Sequence, residues 1–192
     1  GMYIFSKRES KKSTLWILDK VVVTVALAGC LIRMGNFFNS EIYGNKANSS
    51  IQTVYTDLPR QALLRYWDEQ LVKVSFVASG QELVTDSLVY PAYTMELQFA
   101  PGLDQEQVAL LVNRQMSYLN GFGDDDKNIF VPLTDGEVKM DVSGTIASGL
   151  TARFEAYGIP RYPTQLIEAL GYLLMFIILY QMYMRQAWHR EG

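Results

Sequence analysis

Residues 15–37 read LWILDKVVVTVALAGCLIRMGNF, and this stretch gives the first evidence for the fold class of the chain. A helix of 23 residues rises about 34 Å at roughly 1.5 Å per residue, which is long enough to cross a membrane. Its uncharged part covers only residues 21–32, and uncharged runs of this length also occur in buried helices of soluble proteins. The stretch therefore predicts a membrane helix, and this prediction needs support from a second apolar segment.

A second apolar stretch supports the membrane assignment. Residues 164–185 read TQLIEALGYLLMFIILYQMYMR and carry no charge from residue 170 to residue 180. Basic residues precede the first stretch and follow the second, at Lys7, Arg8, Lys11, Lys12, Lys20, Arg185, His189 and Arg190. By the positive-inside rule, both ends of the chain lie in the cytoplasm and the middle lies outside it.

The charge of the middle of the chain agrees with this topology. Residues 41–163 hold 16 acidic and 9 basic residues, a net charge of −7 in a chain of net charge −3. The alternative is a soluble protein in which both apolar stretches are buried helices. The single cysteine, Cys30, excludes a disulfide within the chain, and we interpret it as a small buried apolar residue.

Local patterns predict a small α+β domain between the apolar stretches. Period-two alternation predicts strands at four places: Val72, Val74 and Phe76; Tyr93, Met95, Leu97 and Phe99; Val138, Met140 and Val142; and Ala152, Phe154 and Ala156. Helical spacing predicts two helices: one with Asp104 as N-cap and Gln107 three residues later, and one opened by Asp57 and Pro59 that runs through Leu63, Trp67 and Leu71. The helices should cover one side of the sheet.

The acidic loop at residues 121–128 lacks the spacing of a calcium loop and reads as a surface turn.

These patterns divide the chain into five parts. Residues 1–12 form a basic cytoplasmic N-terminus, and residues 13–44 form the first transmembrane helix with a polar motif at its end. Residues 45–157 form the extracytoplasmic domain. Residues 158–184 form a second motif and the second transmembrane helix, and residues 185–192 form a cytoplasmic tail. The predicted fold class is a membrane α-helical protein with two transmembrane helices and an inserted small α+β extracytoplasmic domain.

Polar residues concentrate where the first helix reaches the outer membrane surface, at Arg33, Asn36, Asn39 and Glu41. Ionisable groups at membrane depth are costly and indicate a functional site. At about 100° per residue Asn39 and Glu41 diverge by roughly 160°, so one regular helix cannot aim all four side chains inward. We therefore predict a break in the helix, for which Gly35 and Gly44 are suitable places.

The second motif, GIPRYPTQLIEALG at residues 158–171, begins the second helix. Pro160 and Pro163 should hold Arg161 in an extended segment before a helix that starts near Thr164. A helix start and an arginine both favour anions, and Gln165 and Glu168 share one face of the helix, so these residues and Arg33 form a candidate phosphate site. The alternatives are that Arg33 reaches the interface or pairs with Glu168 to hold two helices together, and that Arg161 is an ordinary loop residue.

Both motifs resemble those of the prolipoprotein diacylglyceryl transferase family. RMGNFFNSEIYG at residues 33–44 is similar to its signature Gly-Arg-x-x-Asn-Phe-x-Asn-x-Glu-x-x-Gly, with Ile32 in place of the first glycine. RYPTQLIEA at residues 161–169 is similar to its later Arg-His-Pro-Ser/Thr-Gln-Leu-Tyr-Glu segment, with Tyr162 in place of histidine and Ile167 in place of tyrosine. The resemblance covers residues 14–44 and 158–184 and leaves the domain between them unexplained.

The resemblance implies a bacterial inner-membrane enzyme that moves the diacylglyceryl group of phosphatidylglycerol, a membrane lipid, to the lipobox cysteine of a prolipoprotein. It implies that Arg33 and Arg161 are catalytic, and that the substrate-binding residues are Asn36, Asn39, Glu41, Gly44, Gln165 and Glu168. It implies no metal, cofactor or nucleic acid. Because the family's upstream helices with their His-Gly-Gly motif and its final helix have no counterpart here, we expect a partial transferase that is inactive alone.

A non-enzymatic function is the alternative. In that interpretation the acidic domain is a binding module held between two membrane helices, and the motif residues only pack the helices together. It predicts that the span from about residue 50 to residue 157 folds by itself and binds a ligand or a partner.

Overall fold

A computed structural model describes residues 4, 14–67, 69–85, 88–121 and 128–191. The chain divides into two compact units. Residues 1–43 and 163–192 form the first, here called the helical unit, and residues 44–162 form the second, here called the central domain. The basic residues at positions 7, 8, 11 and 12 and most of the predicted acidic turn, residues 122–127, lie outside the described residues.

From residue 14 onward, the described part of the helical unit contains two long helices that pack against each other, α1 (Thr14–Phe38) and α4 (Thr164–Glu191). Both are long and apolar enough to cross a membrane, over Thr14–Phe38 and Thr164–Arg185. Few residues of either span are buried inside the chain, whereas a core helix of a soluble protein buries a broad apolar stripe. The helix pair therefore fits a membrane better than the interior of a soluble protein. Cys30 is buried, as predicted.

Close contact between the two helices depends on a glycine. A Cβ atom built on Gly29 of α1 would lie 2.8 Å from the ring of Tyr172 in α4. Small residues let helix backbones approach in membranes, where packing rather than water drives association. The Tyr172 ring thus occupies space that a larger residue at position 29 would fill.

The described residues of the central domain form two helices and seven strands. In chain order they are α2 (Asp57–Trp67), β1 (Leu71–Val84), β2 (Val89–Phe99), α3 (Gln105–Gly121), β3 (Ile129–Phe130), β4 (Leu133–Thr134), β5 (Glu137–Val138), β6 (Met140–Thr145) and β7 (Gly149–Gly158). Five strands form an antiparallel sheet in the order β1-β2-β7-β3, with β6 also paired to β7, and β4 and β5 form a separate hairpin. This arrangement is consistent with the predicted small α+β domain.

One face of the sheet packs against the helices, and the other carries charge. The buried core combines residues of α2, α3 and the sheet, among them Leu63, Trp67, Met95, Leu97, Phe99, Val108, Val112, Met116, Ala152 and Phe154. On the opposite face Arg153 donates from Nε to Glu96 across β2 and β7, at 2.7 Å. The predicted alternation along residues 93–99 and 152–156 is therefore present, and the weakest predicted strand, β7, lies at the centre of the sheet.

Three local predictions were wrong. Val72 is exposed, because a register shift between Leu71 and Lys73 turns Leu71 and Val74 toward the core instead. Leu71 belongs to β1, where it pairs with Phe99, rather than to the preceding helix, which ends at Trp67. The strand predicted through Val138 and Met140 is two strands, because β5 pairs with β4 and β6 pairs with β7.

The start of α3 was predicted correctly. The Asp104 carboxylate accepts a hydrogen bond from the Gln107 amide at 2.8 Å, and the Gln107 side chain accepts one from the Asp104 amide at 3.0 Å. This reciprocal pair satisfies two amides that the first turn of a helix leaves without partners.

Candidate functional site

The first candidate residue, Arg33, forms an ion pair within the helical unit. Its Nε lies 2.6 Å from Oε2 of Glu168, and the two side chains are 27% and 45% exposed. The pair joins α1 to α4, which agrees with the structural alternative considered for these residues. It also gives the guanidinium a partner of opposite charge between two apolar helices, where an unpaired charge would be costly.

The signature motif ends α1 in a left-handed turn. The helix continues through Gly35, because the Gly35 carbonyl accepts a regular hydrogen bond from the Asn39 amide at 2.9 Å. Gly35 was therefore the wrong place for the predicted break, which comes after Phe38. The amides of Ser40 and Glu41 donate to the carbonyls of residues 37 and 36, which is the bonding pattern of a Schellman motif.

Two residues of this turn have strained backbones. Ser40 and Ile42 have φ angles of 57° and 56°, values that glycine adopts readily and a β-branched residue rarely. Asn36 is half-buried, whereas the side chains of Asn39 and Glu41 are exposed. The turn thus presents Asn39 and Glu41 outward and directs backbone carbonyls toward the start of α4.

The first turn of α4 binds those carbonyls. Gln165 is fully buried, and its Nε2 donates to the Glu41 carbonyl at 2.5 Å. The Thr164 hydroxyl donates to the Ile42 carbonyl at 3.3 Å. A buried amide needs such a partner, because desolvation without a hydrogen bond is unfavourable. Gln165 therefore supports the signature turn, a contact that the sequence pattern did not indicate.

Arg161 and Gly44 meet in the central domain. The Arg161 amide and carbonyl both pair with Thr53, each at 2.9 Å, and the Gly44 amide donates to the Tyr162 carbonyl at 3.1 Å. The segment around Arg161 is thus extended, as predicted from the flanking prolines. Its side chain is 4% exposed, and Nη1 donates to the Gly44 carbonyl at 3.4 Å.

The two motifs therefore contact each other at separate places in the two units. Within the helical unit the structure joins Arg33 to Glu168 and Glu41 to Gln165. Within the central domain it joins Arg161 to Gly44. In both units, residues of the first motif contact residues of the second, although about 120 residues of chain separate them.

A second polar contact between the helices was not foreseen. The Lys20 ammonium donates to the Tyr183 hydroxyl and lies 4.6 Å from the ring centre of Trp16 and 4.4 Å from that of Tyr183. The only signal in the sequence is a lysine flanked by aromatic residues on both helices, a combination typical of membrane interfaces. This contact marks the end of the helix pair opposite to Arg33.

The family described as prolipoprotein diacylglyceryl transferase matches the chain over residues 1–192. A phosphatidylglycerol–prolipoprotein diacylglyceryl transferase of Tolumonas auensis is 37% identical over 69 residues, which are 34% of this chain and 27% of the relative. The transferase of the same name from Porphyromonas gingivalis is 43% identical over 42 residues, 22% of this chain and 15% of the relative.

A third relative with that name, from Chloroherpeton thalassium, is 34% identical over 69 residues, which are 34% of this chain and 26% of the relative. The chain thus spans about a quarter or less of the length of the curated relatives that it matches. No solved structure matches it.

Proposed function

The chain belongs to the prolipoprotein diacylglyceryl transferase family, and from this membership we propose that it takes part in moving the diacylglyceryl group of phosphatidylglycerol to the lipobox cysteine of a prolipoprotein. In this reaction a carbon–sulfur bond forms at the cysteine, and the bond between the diacylglyceryl carbon and the phosphate oxygen breaks. Glycerol phosphate leaves with the electron pair, and the thiol gives up its proton.

The observation that carries the proposal is the ion pair that Arg33 and Glu168 form between two apolar helices. In the described part of the chain the pair engages Nε of Arg33, while the two terminal nitrogens of a guanidinium remain suited to a phosphate. We assign Arg33 to the lipid phosphate, where a fixed donor stabilises the negative charge that develops on the leaving group. Glu168 orients this donor.

Arg161 is assigned to phosphate binding on the strength of the second motif. Because its side chain is 4% exposed and donates to Gly44, phosphate binding there requires the segment of residues 44–53 to move. Asn36, Asn39 and Glu41 are assigned to the headgroup. Gln165 supports the backbone of the turn, and its contribution to lipid binding is therefore indirect.

The same proposal includes a location and a topology. The basic termini and the acidic middle support a bacterial inner-membrane protein with both ends in the cytoplasm and the central domain outside it. A membrane-impermeant maleimide should label a cysteine at exposed Leu110 in intact cells, with Cys30 replaced by alanine. Labelling only after the inner membrane is opened would contradict this topology.

The experiment that tests the function is lipoprotein modification in cells that carry the intact gene. Arg33→Ala and Arg161→Ala should each lower modification by about 100-fold or more, the range found when one donor to a developing anion is removed. Arg153→Ala is the matched control, because it removes an exposed arginine ion pair on the sheet. Unchanged modification in both test variants would favour the non-enzymatic alternative.

A further inference from the structure

The end of the helical unit at which α1 begins contains a charged side chain that the proposed reaction does not use. The Lys20 ammonium of α1 lies 4.6 Å from the ring centre of Trp16 and 4.4 Å from that of Tyr183 in α4, and it donates to the Tyr183 hydroxyl. Among the described residues no carboxylate forms an ion pair with Lys20. A cation between two apolar helices without a counter-charge indicates a site for an anion.

Two donor groups lie side by side at this place. A lysine ammonium has three N–H donors, and the hydroxyl of Tyr183 takes one of them. Because that hydroxyl accepts through its oxygen, its own hydrogen is still available to donate. The Thr24 hydroxyl one turn further along α1 donates to the Lys20 carbonyl at 3.0 Å. Lys20 and Tyr183 can therefore donate together to one anionic group, which makes a strong interaction.

A groove between α1 and α4 gives a ligand access to these donors. Its volume is about 200 Å³, and it is lined by Lys20, Val23, Thr24, Tyr180 and Tyr183. The Tyr180 side chain is 46% exposed and adds a further hydroxyl to the lining. The groove thus combines a positive charge and hydroxyl groups with an aliphatic side chain, as a lipid headgroup site needs.

The acidic neighbour of Lys20 lies in a different groove. Asp19 lines a smaller groove of about 90 Å³, which shares only Val23 and Tyr183 with the larger one. In the part of the chain that the structure describes, no carboxylate lines the larger groove. An anion in the larger groove therefore contacts the ammonium without contacting the carboxylate of Asp19.

The sequence around this end of the helix pair also favours anions. Residues 7–12, which precede α1, include four basic residues and one acidic residue, and Arg185 and Arg190 lie in the last part of α4. Basic residues next to a membrane helix attract anionic lipids, and basic pockets between helices bind their headgroups. The local charge therefore concentrates anionic lipid near the groove.

We propose that the groove beside Lys20 binds the phosphate of an anionic phospholipid, at a site separate from Arg33. Lys20 and Tyr183 donate to the phosphate, and the acyl chains lie against the apolar surface of the helix pair. The proposal depends on the two helices lying in a membrane and is independent of diacylglyceryl transfer.

An anionic lipid suits the groove better than a zwitterionic lipid or a protein helix does. Aromatic rings can bind the quaternary ammonium of choline, but the rings of Trp16 and Tyr183 already contact the Lys20 ammonium, which repels a second cation. An apolar protein helix over the groove would cover the lysine charge without neutralising it, which is costly in a membrane.

The test uses Trp16 as a local reporter in the full chain. The chain has three tryptophans, so Trp67→Phe and Trp188→Phe leave Trp16 alone, and this parent should keep the circular dichroism spectrum of the original chain. It is placed in phosphatidylcholine nanodiscs that contain an equal mole fraction of brominated phosphatidylglycerol or brominated phosphatidylcholine, with bromine close to the glycerol. Bromine quenches tryptophan at contact distance. Lipid at Arg33, 17 residues along α1 and a rise of about 25 Å away, does not reach Trp16.

We expect brominated phosphatidylglycerol to occupy the groove roughly tenfold more than brominated phosphatidylcholine, the effect of one hydrogen bond to a charged group, and to quench Trp16 accordingly. Lys20→Gln should abolish this preference. Arg185→Gln is the matched control, because it removes an exposed cation at the same end of the helix pair that lines neither groove, and it should keep most of the preference.

Because Lys20→Gln also removes a contact between the helices, Tyr183→Phe serves as a second variant. It keeps the ring and removes the hydroxyl, so the preference should fall about threefold, as for one neutral hydrogen bond. Equal quenching of the parent by the two lipids would overturn the proposal. Equal losses in Lys20→Gln and Arg185→Gln would also overturn it, since general attraction to the basic end would then explain the preference. Protection of Trp16 from both lipids would show that protein covers the groove instead.

Discussion

At the scale of single residues, the signature motif contains two strained backbone positions and hydrogen bonds that offset the strain. Ser40 and Ile42 hold left-handed backbone angles, at a cost of about 1–3 kcal/mol for each such residue. Hydrogen bonds from Gln165 and Thr164 to the turn's carbonyls offset this cost. Strained residues that persist under such constraint often belong to functional sites, which agrees with the role assigned to this motif.

Two glycines in the central domain allow steric overlap to be separated from backbone strain. Gly149 and Gly102 have similar φ angles of 93° and 105°, but only at Gly149 would a Cβ atom clash, at 2.4 Å from the Phe99 carbonyl oxygen. Both alanine variants incur backbone strain, and Gly149→Ala adds steric overlap. We expect Gly149→Ala to lower the free energy of unfolding by about 1–3 kcal/mol more than Gly102→Ala does.

Urea unfolding of the central domain, followed by circular dichroism, measures this difference. Equal losses in the two variants would show that backbone strain alone matters at position 149.

The candidate residues themselves could be identified from the sequence, because they belong to two recognisable motifs. Their contacts were not, because a side chain's partner depends on chain segments far apart in sequence. The pairing of Arg33 with Glu168 was one of two open alternatives. The burial of Arg161 against Gly44 and the use of Gln165 to hold the Glu41 carbonyl had no sequence signal.

At the scale of elements, the two helices make polar contacts at two heights along the pair, and these heights are close together. Lys20 and Arg33 are 13 residues apart on α1, a rise of about 20 Å. The hydrocarbon core of a bilayer is about 30 Å thick. If Lys20 lies at the inner interface, Arg33 and Glu168 lie below the outer headgroups, so a lipid phosphate that reaches Arg33 needs a polar cavity or a thinner membrane.

The close approach of α1 and α4 gives a prediction at the same scale. Gly29→Ala would place a methyl group 2.8 Å from the Tyr172 ring, whereas a Cβ atom at Gly171 meets nothing within 4 Å. Alanine raises helix propensity by about 1 kcal/mol over glycine at both sites. We therefore expect Gly171→Ala to be neutral or stabilising, and Gly29→Ala to lose about 1–3 kcal/mol to overpacking.

Thermal unfolding in detergent micelles tests this expectation. A Gly29→Ala variant as stable as Gly171→Ala would mean that the Tyr172 ring does not pack against α1 as described.

Elements were predicted well where one pattern dominates and poorly where pairing decides. Helices α1 and α4 follow from long apolar runs, and α3 follows from its capping box. The bulge at the start of β1 and the division between β5 and β6 depend on which strand lies alongside. Alternation within one strand contains no information about its neighbour's register, so Val72 was predicted on the wrong face and the division of the strand after Val138 was not predicted.

At the scale of the whole molecule, the central domain has its own core and should fold without the helices. We expect residues 44–162 to be a soluble domain that unfolds cooperatively. Residues 50–157 should be less stable, because this shorter span lacks Gly44, Ala47 and the residues 159–162 with which they pair. Urea unfolding of both spans measures the difference, and equal midpoints would contradict a stabilising role for the paired segments.

We propose that Arg33 acts on a lipid phosphate and does not merely join two helices. The most direct measurement is mass spectrometry of a lipobox peptide from cells carrying the intact gene, with Arg33 and Glu168 exchanged by Arg33→Glu and Glu168→Arg. The exchange keeps an ion pair between the helices but moves the guanidinium. We expect normal protein levels and at least about a 100-fold loss of diacylglyceryl transfer. Transfer at the parent level by the exchanged protein would show that Arg33 does not act on the phosphate.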